Sequence, residues 1–233
     1  MANTDPIDLE GGGLLLVDKP LGWTSFDVVG KLRGAMRSVV QGRRVKVGHA
    51  GTLDPLASGL LVLAYGRRTK DLPNLSGLDK TYTGTLTLGG VTPSQDGETP
   101  VSDALPWEHL DRAAVEAVLP RFTGDLLQRP PMYSAKHHKG ERAYFLARDG
   151  RPVEMEPVRV TVHELMLLGM EGPQVHFTTT VSKGTYIRTL AHDLGQALGC
   201  GAWLSALRRT RIAELDVADA LPPVELAQLI APR

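Results

Sequence analysis

The chain has one cysteine, Cys200, among 233 residues. A single thiol excludes an internal disulfide and leaves no cysteine-rich metal site. Between Gly199 and Gly201, with no activating neighbour in sequence, it reads as a small packed thiol rather than a nucleophile. Neither sign of charge prevails, since 26 Lys and Arg balance 26 Asp and Glu. Attraction for a polyanion must then come from where the charges sit, not from their total. Long apolar runs are missing too. The longest, near Leu14–Val17 and Leu60–Tyr65, are far too short to span a bilayer. Asp5, Asp8 and Glu10 precede any apolar stretch, the reverse of a signal peptide, so a cytoplasmic location is expected.

One absence is local. From Lys31 to Lys70 there are nine Lys or Arg residues (31, 33, 37, 43, 44, 46, 67, 68, 70) and a single carboxylate, Asp54. Asp54 lies in a loop built on Gly48, Gly51, Pro55 and Gly59, followed by an apolar run that reads as a buried strand. Two readings stay open at this point. A turn aspartate often accepts backbone hydrogen bonds, and that is the commoner case. A rigid loop holding one ionised carboxylate in a positive field also suits catalysis on an anionic substrate. Lys136–Arg142 and Arg208-Arg209-Thr210-Arg211 form two further basic stretches.

Along the chain, residues 1–13 are polar, end in three glycines and read as a flexible arm. Leu14–Asp18 is expected as a strand. Thr24 with Asp27 three residues on resembles a capping box, and Val28, Leu32 and Met36 repeat at helical spacing, which predicts a helix over Ser25–Arg37. Leu60–Tyr65 and the alternating Lys80–Gly89 read as strands, and Val91–Leu105 as a surface loop. Helices are expected over Trp107–Phe122, Arg142–Asp149, Thr185–Leu198, Ala202–Arg209 and Pro223–Ile230. Val158–Leu168, Val175–Val181 and Ile212–Val217 read as strands. Strands and helices in this uneven order indicate an α+β fold with no convincing linker.

The segment Gly48-His49-Ala50-Gly51-Thr52-Leu53-Asp54-Pro55-Leu56-Ala57-Ser58-Gly59 resembles the catalytic loop of the tRNA pseudouridine-55 synthases, the TruB class. Asp18–Ser25, Lys80-Thr81-Tyr82, Pro131–Ala135, Ser182–Arg188 and Leu204–Thr210 are similar to further segments of that family, in family order over residues 14 to about 217. Ala50 departs from the threonine usual there. The resemblance implies a pseudouridine synthase catalytic domain over 14–233, with a central mixed, mainly antiparallel sheet flanked by helices. Many members carry a C-terminal domain of the PUA type, and none is expected before Arg233.

The implied reaction breaks the bond from ribose C1′ to uracil N1, turns the base over and rejoins it through C5. It requires no cofactor and no metal. The resemblance makes Asp54 the catalytic carboxylate, with Arg188 pairing with it and Tyr82 against the target uracil. His49 would occupy the space left by the flipped base, Tyr186 and Leu207 would line the pocket, and Lys19 would shape its rim. Each has an ordinary reading as well: a surface arginine, a half-buried strand tyrosine, a hydrogen-bonded loop histidine, a core leucine. The implied partner is the T arm of tRNA, bound by a monomer through phosphate contacts and RNA shape. The competing reading is a non-catalytic protein that binds structured RNA. A phosphohydrolase would want a second acid two residues after Asp54, where Leu56 stands, and no Gly-x-Ser-x-Gly turn supports a serine hydrolase.

Overall fold

The computed structural model describes residues 8, 9, 11–42, 44–102, 104–134, 137, 138, 141, 142, 149, 151 and 155–231. In chain order the elements are β1 (Gly13–Lys19), α1 (Ser25–Val39), β2 (Val47–His49), β3 (Ala57–Tyr65), α2 (Leu72–Gly77), β4 (Lys80–Leu88), α3 (Arg112–Val118) and β5 (Gly124–Gln128). There follow β6 (His137–His138), β7 (Glu141–Arg142), β8 (Val158–Glu171), β9 (Gln174–Val181), α4 (Ile187–Ala197), β10 (Ala202–Ile212), β11 (Leu215–Asp216) and α5 (Pro223–Ile230). Backbone pairing joins nine strands in a mixed, mainly antiparallel sheet, in the order β1-β3-β10-β4-β9-β8-β5 with β2 on β3 and β11 on β10.

The chain divides into two compact units, Met1–Tyr82 with Leu207–Arg233, and Thr83–Ala206. In the first, β1 pairs antiparallel with β3 from Gly13↔Tyr65 to Lys19↔Gly59. Alternation then sends Leu15, Val17, Leu61 and Leu63 to one face and Leu16, Leu60 and Val62 to the other. The first face meets Val28, Leu32 and Met36 of α1 and Leu226 and Ile230 of α5. The second meets Ala50 and Ile212. Both faces are covered, which is why residues 60–65 read as an unbroken apolar run rather than an alternating one. Thr24 and Asp27 form the expected capping box and start α1 at Ser25. In the N-terminal segment Gly11 N–H donates to Asp8 Oδ1 at 2.9 Å, and Leu9 packs on this core.

In the second unit β8 and β9 form a long hairpin, and β5 pairs with β8 from Gly124↔Val162 to Gln128↔Val158. Three expectations need correction. Ala202–Arg209 is not helical but the first part of strand β10. Its Ala, Leu and Arg favour a helix locally, but parallel pairing of Leu207, Arg208 and Arg209 with Ala57, Ser58 and Gly59 overrides that preference. The helix expected from Trp107 begins only at Arg112, because the Asp111 side chain caps Ala114 N–H, and Pro120 tightens its end into a 3₁₀ turn at Leu119–Phe122. Ile212–Val217 is not one strand, since a turn at Ala213 separates β10 from β11. The helix expected over Arg142–Asp149 falls mostly outside the described residues, and its first residue, Arg142, pairs as a strand with His137.

Candidate active site

The aspartate loop belongs to the first unit. β2 and β3 pair antiparallel from Val47↔Tyr65 to His49↔Leu63, and residues 50–56 leave the ladder as a loop. It is fastened at several points. Leu53 is buried, its N–H donates to Ser25 Oγ at 2.9 Å, and its carbonyl accepts from the same hydroxyl at 3.1 Å. Gly22 N–H donates to the Pro55 carbonyl at 2.8 Å, and Ala57 N–H to the Asp54 carbonyl at 3.0 Å. The second of these closes a tight turn with Pro55 just inside it. Gly51, at φ +108°, takes a conformation that a side chain would resist. Asp54 is therefore fixed in its backbone while its side chain is half-buried.

Arg209 supplies a further anchor that the sequence did not disclose. Its place in the Arg208–Arg211 stretch suggested a basic surface, but it is 1% exposed. Nε donates to the Leu60 carbonyl at 2.7 Å and Nη2 to the Gly51 carbonyl at 3.1 Å. Among the described residues no carboxylate lies within ion-pair distance of it. A buried cation without a counter-ion is costly to the fold. The neighbouring Arg208 behaves differently, pairing with Asp18 through two hydrogen bonds of 3.0 and 2.8 Å.

Lys19 is fully buried and donates from Nζ to the carbonyls of Pro20 (3.0 Å) and Trp23 (2.6 Å). Burial pulls its pKa from the ordinary 10.5 down to about 8; Asp54 opposes that shift, Arg209 adds to it, and Asp27 opposes it in turn. The buried ammonium thus lies close enough to Asp54 for the two charges to interact. His49 ends β2, one residue before the loop. Burial, and then Arg209, push its pKa below the usual 6.5, with the Gly51 backbone opposing. Its Nδ1 is buried with no hydrogen-bond partner among the described residues. The ring is a neutral imidazole at neutral pH.

Tyr82, 8% exposed, shares a face of β4 with Lys80. Lys80 donates to the carbonyls of Ser76, at 2.7 Å, and Leu78, and its Cε would meet a side chain placed on Gly51. That face of β4 thus looks toward the loop. Leu207 lies beside Ala57 across the parallel β3–β10 pair. So Lys19, His49, Asp54, Tyr82 and Leu207 all belong to one unit.

Tyr186 and Arg188 belong to the other. Gln128 brackets Tyr186, accepting from its N–H at 2.7 Å and donating to its carbonyl at 2.9 Å. Arg188, in the first turn of α4, is buried rather than on the helix surface. It donates to the carbonyls of Ser94 (3.1 Å) and Tyr133 (2.9 Å) and makes an ion pair with Asp96 at 3.4 Å. A cation at a helix N-terminus is unfavourable, and Asp96 offsets it. The Val91–Leu105 segment is therefore only partly a surface loop, with Thr92, Ser94 and Asp96 all buried. Nothing in the polar Thr92–Gly97 sequence distinguishes Asp96 from a turn residue. Among the described residues no cluster of His, Cys, Asp and Glu could hold a metal ion, and no helix is long and apolar enough to cross a membrane.

The profile described as the TruB family pseudouridylate synthase N-terminal domain matches residues 37–187, and that of the tRNA pseudouridylate synthase B C-terminal domain matches 188–231. The chain is 49% identical to a tRNA pseudouridine synthase B of Chlorobium luteolum over 213 residues, covering 91% of this chain and 73% of that protein. A tRNA pseudouridine synthase B of Chlorobaculum tepidum is 47% identical, with 91% and 88% covered. Among solved structures, a Cbf5–Nop10–Gar1 complex is similar with a TM-score of 0.70 and 29% identity, covering 95% of this chain and 55% of that one. An H/ACA RNP bound to a substrate RNA containing 2′-deoxyuridine gives 0.62 and 28%, covering 88% and 48%. The chain thus spans about half the length of the chains in those structures. Fold and loop together define a pseudouridine synthase, an isomerase. Within that class, the chain belongs to the TruB family of pseudouridylate synthases.

Proposed function

We propose that this chain converts uridine 55 in the T loop of tRNA to pseudouridine, with Asp54 as the catalytic carboxylate. The observation that carries this reading is the Asp54 loop. Its backbone is fastened by Ser25, Gly22 and Arg209, its carboxylate is half-buried, and buried Lys19 supplies a positive field. A carboxylate kept ionised there can attack or stabilise the sugar at C1′ as the bond to N1 breaks. The base then turns over, C5 bonds to C1′, and C5 gives up its proton. Tyr82, with an aromatic face and a hydroxyl, serves base stacking and removal of that proton. Arg188, oriented by Asp96, has the charge-assisting role that the resemblance implies, while Tyr186 and Leu207 line the pocket. His49, neutral and unpaired at Nδ1, fills the space that the extruded base leaves.

The substrate of this reading is the T arm of tRNA, gripped at its phosphates by the basic segment and read by shape. The enzyme acts as a cytoplasmic monomer. The direct test incubates the protein with T-arm RNA carrying tritium at uridine C5, with no metal added. Tritium enters solvent only when the new carbon–carbon bond forms, so release is expected from wild type and not from Asp54→Asn. An Asp54→Asn variant that releases tritium at the wild-type rate removes Asp54 from the chemistry.

A further inference from the structure

A groove of about 550 Å³ lies beside the aspartate loop, lined by Gly22, Trp23, Phe26, Asp27, Gly30 and Lys31. We propose that it is a stacking subsite for an unpaired nucleobase of the RNA substrate, one close in the strand to the base that reacts. The inference rests on the proposed RNA substrate and adds a second recognition point to it.

The groove's size falls in the range of about 300–1,000 Å³ usual for small organic groups, far more than an ion needs. Two of its six lining residues, Trp23 and Phe26, are aromatic. Phe26, in the first turn of α1, is 71% exposed, on the side of the helix away from Val28 and Leu32. Trp23 is half-buried against the core and so is held in place. Leu21, next in sequence to Gly22, and Leu56, next to Pro55, are exposed as well. Gly22 and Gly30 contribute no side chain, and the space over both is open, so a flat ring can come close to the backbone.

The charges select the occupant. Asp27 already accepts from Thr24 N–H at 2.8 Å and from its hydroxyl at 2.6 Å, so its carboxylate is committed to capping α1. The rim's other charge is exposed Lys31, first of the nine cations that share residues 31–70 with Asp54 alone. Two aromatic side chains with a basic surround suit a base and its phosphate, a combination that single-stranded nucleic acid binders use. An apolar protein segment would have no use for the cation. Gly22 N–H to the Pro55 carbonyl, and Ser25 Oγ to Leu53, make the groove one rigid piece with the loop that carries Asp54. A strand presenting one base to Asp54 can reach the groove with a neighbour.

The test measures affinity for T-arm RNA with Phe26→Ala, Phe26→Leu and Phe26→Trp, alongside RNAs made abasic at single loop positions. Both Ala and Leu should weaken binding, by about 5- to 100-fold for one lost stack, while Trp retains it. One abasic RNA should bind wild type as weakly as intact RNA binds Phe26→Ala, and the variant should lose nothing further with it. Melting temperatures of the variants should match wild type, because Phe26 is exposed. Binding within twofold of wild type for Phe26→Ala, or full recovery with Leu, would overturn the subsite. So would a change of oligomeric state in Phe26→Ala without RNA, which would make this face a contact between copies. If wild type binds RNA in this Phe26-dependent way yet releases no tritium from uridine C5, the subsite stands and the catalytic reading fails.

Discussion

Arg188 Nη1 stands 3.4 Å from Asp96 Oδ2, and both side chains are more than nine-tenths buried. Changing Asp96 takes a carboxylate away from a buried guanidinium. Asp96→Asn should therefore lower stability by about 3–5 kcal/mol and depress turnover with it. Arg188→Met with Asp96→Leu should recover much of the stability, because the buried ion pair is then replaced as a whole by apolar side chains, yet remain inactive. Urea unfolding and tritium release, measured side by side, check this. An active double variant would make the pair purely structural.

Arg209 presents the opposite balance. Its removal takes the guanidinium donor from the Leu60 and Gly51 carbonyls, at about 1–3 kcal/mol each, but also relieves a buried charge that has no carboxylate within ion-pair distance among the described residues. The two effects oppose, so Arg209→Met should stay within about 2 kcal/mol of wild-type stability. Turnover should nevertheless fall by at least about tenfold, the cost of a loosened loop. Single-turnover rates on folded protein separate the two quantities, and an unchanged rate would show that the loop holds its shape without Arg209.

Lys19 makes the protein's behaviour in alkali specific. Its folded pKa is about 8 against an ordinary 10.5, so between these values the unfolded chain binds the proton that the folded one has lost. Stability should accordingly rise with pH across that window, by up to about 3 kcal/mol. Turnover should fall over the same window, because the cation beside Asp54 disappears. Lys19→Met should abolish both trends. Parallel pH series of unfolding free energy and kcat would reveal them.

His49 gives the complementary acid effect. Its pKa lies below 6.5 in the fold, so as pH drops past 6.5 the unfolded chain takes up a proton that the folded one resists. Stability should fall with pH from there downward, and His49→Gln should flatten the slope. An assigned His49 resonance titrating at or above 6.5 in the folded protein would contradict this.

Tyr82→Phe should cripple turnover while RNA affinity stays near wild type, since the ring remains and only the hydroxyl is lost. Filter binding and tritium release provide the comparison. Equal losses in both would make Tyr82 a structural residue.

Much of this arrangement was legible in the sequence, for physical reasons. The Thr24–Asp27 box, the four-residue repeat of Val28, Leu32 and Met36, and the apolar run of β3 are local signals that their surroundings left intact. Asp54 stood out because it was alone among cations. What escaped was long-range. The residues of β10 favour a helix until β3 pairs with them, and burial of Arg209 follows from that pairing, not from its basic neighbours. Asp96 looked like any aspartate in a polar turn, and only its meeting with Arg188, 92 positions further along the sequence, sets it apart.

The parallel match of Leu207–Arg209 with Ala57–Gly59 has a consequence for biosynthesis. On the ribosome, Asp54 emerges some 150 residues ahead of the strand that finishes its surroundings. A nascent chain can complete its N-terminal helix and hairpin early, but no guanidinium clasps Gly51 until residue 209 has been made. The last fastening of the aspartate loop is thereby tied to the synthesis of β10, and a chain released before that strand lacks it.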